Sequence, residues 1–277
     1  MKIKYNNYRR GFVLGDRLCR FAAEHVDSFL FQIAETYSDL ITAFNLVYHE
    51  YLARGYCQPK PSEIHYTHFC ILPDSRTFLL TDKKSGQIRG TASLVLDSSS
   101  GLPMESLFGP RLSDLRKENR RLAEVTLLCM ASKSQLNETH ANRNKLSSIF
   151  TFFKHVFNYA LTLNVSDLVI VVNPRHVSIY QYLTFEPLGD IYPYPDACGN
   201  PAQLMHLDLI RFCNPQFRRR LVQKFFLEQP FSYDSDIKPA HWNFETVEKL
   251  LLLSDLLAPE WRFILETYLK SPHRIFA

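Results

Sequence analysis

The sequence predicts an α/β domain of three layers (α+β in its strand connections), with a central mixed sheet flanked by helices and a helical appendage at its C-terminal end. Three observations predict it. A strand and a helix are followed by three short strand signals, the pattern of an antiparallel meander. A long amphipathic helix over residues 144–163 then leads into the apolar run 168–172. A strand so uniformly apolar is buried on both faces, as strands joined by a crossover helix are. Residues 213–277 show helical spacing only.

The elements follow in order. Residues 1–26 are basic and aromatic (Tyr5, Tyr8, Arg9, Arg10, Arg17, Arg20), with a short amphipathic helix over 18–26. Residues 29–34 read as a strand. Thr36 or Ser38 caps the next helix, where Leu40, Ile41, Phe44, Val47, Tyr48, Tyr51 and Leu52 keep helical spacing up to Gly55, a natural stop. Pro59 and Pro61 mark a loop. Strands are expected at 68–72, 77–81 and 87–97, with Ile88, Ala92, Leu94 and Leu96 on one face of the last. Residues 98–110 read as a loop, 113–120 as a short polar helix and 122–130 as a strand. Helix 144–163 sets Leu146, Ile149, Phe150, Phe153, Phe157, Ala160 and Leu161 on its apolar side. A helix at 177–183 and a strand at 204–209 follow the buried strand. Beyond them lie a basic helix over 217–226, a helix opening after the N-cap Asn243 with Val247, Leu250, Leu251 and Leu257, and one opening at Pro259 with Trp261, Ile264, Tyr268 and Leu269. The expected division is an N-terminal helical arm (1–27), a main domain (28–212) and a C-terminal helical extension (213–277) packed on it.

Composition removes several functions. With 277 residues, 46% hydrophobic and 22% charged, the chain can bury a core. No apolar run approaches the ~20 residues of a transmembrane segment, and no apolar stretch near the N-terminus suggests secretion, so the expected location is cytoplasmic. A net charge of +4 is too small to argue for nucleic acid. It leaves room for an acidic partner where the positive charge clusters. The six cysteines are scattered without CxxC spacing and read as reduced thiols, which excludes a zinc ribbon or a redox motif. Nine glycines with no GxG exclude a dinucleotide fingerprint and a P-loop. His65, His68 and Cys70 form H-x-x-H-x-C, but on a strand the two histidines face opposite ways, so no metal is expected.

Residues 173–185, N-P-R-H-V-S-I-Y-Q-Y-L-T-F, follow the buried strand. They resemble the N-x-x-A-x-x-x-Y-x-x-x-G-F of the GNAT acyltransferase superfamily, whose element order is also similar, with His176 and Thr184 in place of Ala and Gly. Three separated segments narrow the resemblance: L-V-Y-H-E-Y-L-A-R-G-Y (46–56), G-T-A-S-L-V-L-D-S-S-S-G-L-P-M (90–104) and R-R-L-A-E-V-T-L-L-C-M (120–130). They are similar to the N-acyl amino acid synthases, relatives of the acyl-homoserine lactone synthases, over roughly residues 28–209. The resemblance implies the GNAT fold and an N-acyltransferase. A long-chain acyl group would pass from acyl carrier protein to the α-amine of an amino acid. Acyl-phosphopantetheine would be the co-substrate, acyl-CoA the alternative donor, and no cofactor would be bound.

The residues add chemistry to that implication. Glu124 sits on an apolar strand; buried there, it has a raised pKa and can take a proton from the attacking amine. The acyl-homoserine lactone synthases carry a glutamate here in an E-x-x-R-F context, with Leu127 standing at the arginine position of this chain. The other reading of Glu124 is a residue at a sheet edge, paired with Arg120 or Arg121. By the resemblance Tyr180 protonates the departing thiolate, and backbone groups of Val125, Thr126, Leu127 and Leu128 hold pantetheine and polarise the carbonyl. By alternation Leu122, Glu124, Thr126 and Leu128 share a face and Cys129 points away, which disfavours an acyl-cysteine route. Asn173, Arg54 and His176 are candidates for the acceptor. Against this, Arg54 can form a surface i,i+4 pair with Glu50, and His176 can cap the helix after Pro174. Asp97 starts a turn.

Residues 131–150 contain no glycine, whereas GNAT enzymes place a glycine-rich turn here for the CoA pyrophosphate. A donor without the nucleotide fits that absence; the alternative is CoA held by Lys133, Arg143 and Lys145. Carrier protein is acidic, so its docking surface should be basic. Two clusters qualify, Arg9 and Arg10 with Arg17 and Arg20, and Arg218, Arg219 and Arg220 with Lys224, each otherwise a solvated face. The 21 phenylalanines supply an acyl tunnel or simply the core. Two rival functions remain: a CoA-dependent GNAT enzyme acting on another amine, and a non-catalytic acyl- or carrier-protein-binding module.

Overall fold

The computed structural model describes residues 26–73, 75–117, 120–132, 141–214, 221–227, 242–254 and 258–270, with residues 19, 22 and 216 besides. Strand β1 (Phe29–Ile33) leads into helix α1 (Tyr37–Leu52). A reciprocal capping box starts α1: Asp39 N donates to Thr36 Oγ1 at 3.1 Å and Thr36 N to Asp39 Oδ2 at 3.0 Å. Strands β2 (Ser75–Asp82) and β3 (Ile88–Leu96), helix α2 (Glu105–Lys117) and strand β4 (Leu122–Met130) follow. Next come α3 (Ala141–Thr162), β5 (Asp167–Val172), α4 (Val177–Tyr182), β6 (Glu186–Tyr194) and β7 (Asn200–Asp208). Among the described residues that follow are α5 (Leu209–Cys213), α6 (Leu221–Leu227), α7 (Phe244–Leu252) and α8 (Ala258–Lys270).

The seven strands form one sheet in the order β1-β2-β3-β4-β5-β7-β6. Its neighbours run antiparallel, apart from the parallel pair β4–β5 that the crossover helix α3 joins. Phe-rich α3 covers one face, where Phe150, Phe153 and Phe157 pack with Phe185, Phe212 and Phe226 against Leu94, Val125 and Ile170. Helix α1 covers the other face, and Trp242, Val247, Leu250, Leu251 and Ile264 join its core. Tyr66 Oη donates to the Leu250 carbonyl at 2.7 Å. Helix α2 lies on that same face, with Phe108 and Leu112 against Leu122, Val169 and Leu204.

Several expectations need correction. Residues 68–72 are not a strand: His68–Ile71 is a 3-10 turn that buries Cys70 and Ile71, and a short apolar run does not distinguish the two by periodicity. Helix α2 begins at Glu105, well inside the expected loop, and runs through Pro110. Strand β6 has no strand signal in the sequence, because Pro187 and Pro193 interrupt it and its side chains are mostly exposed. It is the sheet's edge, where a missing N–H is tolerated. A register shift between Leu80 and Thr81 leaves Arg89 as an extra residue in β3. Ile88 is thereby turned toward the α1 side, away from Ala92, Leu94 and Leu96. Among the expected C-terminal elements, residues 217–220 and Leu257 lie outside the described ones, as does most of the segment 18–26.

Candidate active site

Strands β4 and β5 pair over only three rungs, Leu122 with Asp167, Ala123 with Leu168 and Glu124 with Val169. Both continue, β4 to Met130 and β5 to Val172, so they part beyond Glu124. Their facing backbone groups then make no ladder and are available to a ligand. A bulge bends β4 at this point: Thr91 faces Cys129 but Ser93 faces Thr126, and Leu127 takes φ +51°. A leucine in that left-handed region is strained, a feature that clusters at functional sites. A cavity of about 560 Å³ fills the wedge. It follows β4 from Glu124 to Met130 and β5 from Ile170 to Val172, with Asn173 just beyond. Tyr51, Arg54 and Tyr56 wall it on the α1 side; Ile149, Phe153, Ile179, Tyr180 and Leu183 wall it on the α3 side.

Glu124 stands where the wedge closes. It is 2% exposed, and its Oε2 accepts from Met104 N at 2.9 Å, just before helix α2. Burial pushes its pKa up to about 8, the Met104 bond opposes this, and Asp196 and Glu105 add to it. A carboxylate of that basicity can exchange protons with an amine near neutral pH. The edge reading of Glu124 does not hold. β4 is the middle strand of seven, and Arg120 pairs with Asp167 at 2.6 Å and with Asp208 at 3.0 Å.

Tyr51, Tyr56, Tyr180 and Tyr194 bring four phenols to the wedge. Tyr180 is buried, packed edge-on against Phe153 and Phe185, and burial raises its pKa. It therefore stays protonated near neutral pH and keeps an O–H to donate. Tyr51 and Tyr194 also line the cavity with raised pKa, burial being the main cause for each, and Glu124 adding for Tyr194. A smaller pocket of about 100 Å³ adjoins on the α1 side, and Tyr51, Tyr56, His65, Thr67, Thr126, Tyr194, Asp196 and Asn200 are among its lining residues, beside apolar ones such as Val171 and Pro201. Sequence reasoning missed Tyr51, Tyr194 and the Met104 amide, although Met104 closes one of the family-like segments.

Val125, Thr126, Leu127 and Leu128 all line the wedge. Their alternation is not the expected one. The bulge sends Leu128 to the α3 side, while Leu127 and Cys129 turn to the α1 side, the side of Glu124. Cys129 therefore does not point away from Glu124. Asn173 lines both cavities, and its side chain caps the turn by accepting from Arg175 N. His176 lines the larger cavity and makes no side-chain capping bond. Arg54 also lines it, but its partner is no surface residue: Glu50 is 1% exposed, with Arg54 Nη1 at 2.6 Å and Ser132 N donating to its Oε1 at 2.5 Å.

Thr184, at the family's glycine position, takes φ +71°, the conformation a glycine would adopt freely. Asp97 does more than start a turn, accepting two 2.7 Å bonds from Arg116. His65 packs against Tyr51 with the rings tilted, centroids 5.2 Å apart, and His68 pairs with Glu260 at 3.4 Å. Among the described residues no group of three or more His, Cys, Asp or Glu gathers at metal-binding distance, and no helix is long and apolar enough to cross a membrane. Cys19, Cys57, Cys70 and Cys129 are buried thiols. Arg9, Arg10, Arg17, Arg20, Arg218, Arg219, Arg220 and Lys133 lie outside the described residues, as do the side chains of Arg143 and Lys145.

A mixed sheet split between its parallel strands around a buried carboxylate has the GNAT fold, and the class it defines is an acyltransferase. The family model described as N-acyl amino acid synthase FeeM matches residues 42–208. The chain belongs to the N-acyl amino acid synthase family. The solved structure of FeeM, an N-acyl amino acid synthase from uncultured soil microbes, is 28% identical, with a TM-score of 0.56 over 66% of this chain and 90% of that one. The acyl-homoserine lactone synthase LasI is 14% identical with a TM-score of 0.48, over 65% and 90% of the two chains. BjaI, described as a CoA-dependent acyl-homoserine lactone synthase, is 12% identical with a TM-score of 0.48, over 76% and 92%. A comparison with curated protein sequences found no match.

Proposed function

We propose that the protein moves a long-chain acyl group from the phosphopantetheine arm of acyl carrier protein to the α-amine of an amino acid. The wedge carries this reading: a cavity between diverging strands, ended by a buried base. Pantetheine lies along β4, its amides meeting backbone groups of Val125 to Leu128. The acyl chain runs toward Ile149, Phe153 and Leu183, and the amine enters from the smaller pocket that Tyr194 and Asp196 border. Its nitrogen forms a bond to the thioester carbonyl carbon while Glu124 takes its proton. The tetrahedral intermediate collapses with cleavage of the C–S bond, and Tyr180 gives the thiolate a proton. The carbonyl oxygen, negative in the intermediate, is met by β4 amides freed by the bulge. No resident cofactor enters these steps.

Mass spectrometry of lipid extracts from bacteria expressing the protein tests the reading. New N-acyl amino acids are expected, and their masses identify both acceptor and chain length. A folded, abundant protein with no new amide lipid would remove the synthase reading and favour a binding module.

A further inference from the structure

We infer that Arg175 binds the phosphate of the donor's phosphopantetheine arm at the open end of the wedge. The inference rests on the donor assigned above. Arg175 lies in the 3-10 turn Pro174–His176, directly beyond β5. Its guanidinium is exposed yet held: Nη2 donates to Tyr56 Oη at 2.7 Å and Nε to His176 Nε2 at 3.0 Å, with the group 5.7 Å from the Tyr56 ring. Tyr56 and His176 both line the cavity, so they fix the fork at its rim. Among the described residues no carboxylate pairs with Arg175, whereas Arg54, the other guanidinium at this rim, is neutralised by buried Glu50.

Length decides which anion Arg175 meets. Val169 is level with Glu124. Four extended steps at ~3.3 Å and two tighter ones at ~2 Å put the Arg175 backbone roughly 17 Å farther along, within reach of its long side chain. A pantetheine arm spans about 15 Å from sulfur to phosphorus by ordinary bond lengths. A thioester beside Glu124 therefore brings its phosphate to Arg175. An amino acid cannot do the same with its carboxylate, which sits only about 3 Å from its own nitrogen. Arginine's planar fork suits a phosphate ester in two-point contact.

The test compares wild type, Arg175→Gln and Arg175→Lys with two donors that carry the same acyl chain, acyl-pantetheine and acyl-4′-phosphopantetheine, with mixed amino acids as acceptors. The readout is the ratio of kcat/KM for the phosphorylated donor to that for the unphosphorylated one. Arg175→Gln is expected to lower this ratio roughly tenfold or more, through KM, with Arg175→Lys intermediate. An equal loss with both donors would overturn the inference in favour of a merely structural role for Arg175. A rise confined to the amino-acid KM would overturn it in favour of acceptor binding. If the wild type turns over neither donor, the proposed function fails instead. Repeating the comparison with acyl carrier protein and acyl-CoA separates the sources of the phosphate. A loss with the carrier protein supports both readings, and a loss with CoA alone supports Arg175 while overturning the carrier-protein donor.

Discussion

Glu124→Gln is expected to lower kcat/KM by roughly 10²–10⁴-fold, the usual contribution of a general base, and at the same time to stabilise the fold at alkaline pH. Glutamine keeps an oxygen for the Met104 amide at nearly the same size, so the cavity and its donors survive. The stability change follows from burial, which lifts the Glu124 pKa from 4.5 to about 8. Between these values the native state holds a proton that the unfolded chain has lost. Wild-type stability therefore falls as pH rises through this window, by up to about 1.4 kcal/mol per pH unit, and levels off above it. The mutant lacks this loss. Its melting temperature should gain on the wild type from pH 5 to pH 8 and hold the gain at pH 9. A catalytic group that costs stability is the trade expected of an active site. Differential scanning calorimetry across that range, beside turnover measurements, checks both halves. Equal pH dependence of the two proteins would mean that Glu124 is ionised in the native state.

The second large effect concerns the closed end of the wedge. Asp167 has no exposed side-chain surface and takes bonds from Arg120 (2.6 and 2.7 Å), His206 (2.7 Å) and Ser166 (2.6 Å). Arg120 reaches on to Asp208, so the segment entering β4, the start of β5 and the end of β7 are pinned together where pairing begins. Burial works to raise the Asp167 pKa, but the bonds from His206, Arg120 and Ser166 outweigh it and hold it at about 2. Its stabilisation is fully present above the ordinary aspartate value of 3.8 and is lost as pH falls through about 2. Asp167→Ala is expected to cost about 3 kcal/mol at pH 7, because it empties a fully buried site and takes a partner from each of His206, Ser166 and Arg120, of which Arg120 keeps Asp208. The deficit against wild type should shrink as pH approaches 2. Urea unfolding at pH 7 and pH 3 measures it, and a loss under about 1 kcal/mol would show that the clamp is replaceable.

The elements legible in the sequence were those with a regular period or a chemical cap. The expected bounds of β4 are the observed ones, and of the two caps the sequence offers for α1, Thr36 and Ser38, Thr36 is the cap, the helix ending at Leu52, three residues before Gly55. Glu124 stood out as the one acid in an apolar strand. What escaped was structure that a single extra residue controls. The bulges at Arg89 and Leu127 each reverse which side chains share a face, and strict alternation cannot register them. Hence Ile88, Leu128 and Cys129 were assigned to the wrong faces. Glu50 was read as half of a surface pair because i,i+4 pairs are usually that; only the fold shows it buried beneath Ser132. Tyr51, Met104 and Tyr194 reach the site from three distant segments. Strand β6, which carries Tyr194, is hidden by its own prolines.

The most direct test of a base at the closed end of a pantetheine wedge is the rate of a single acyl transfer against pH. Purified protein, acyl carrier protein bearing a long-chain thioester and saturating amino acid would be mixed from pH 6 to pH 9.5, with amide product followed by mass spectrometry. The expected result is a rate rising tenfold per pH unit and levelling near pH 8, as Glu124 loses its proton, with Glu124→Gln slow and flat across the range. A wild-type rate independent of pH over that span, or a Glu124→Gln enzyme with the wild-type profile, would contradict it.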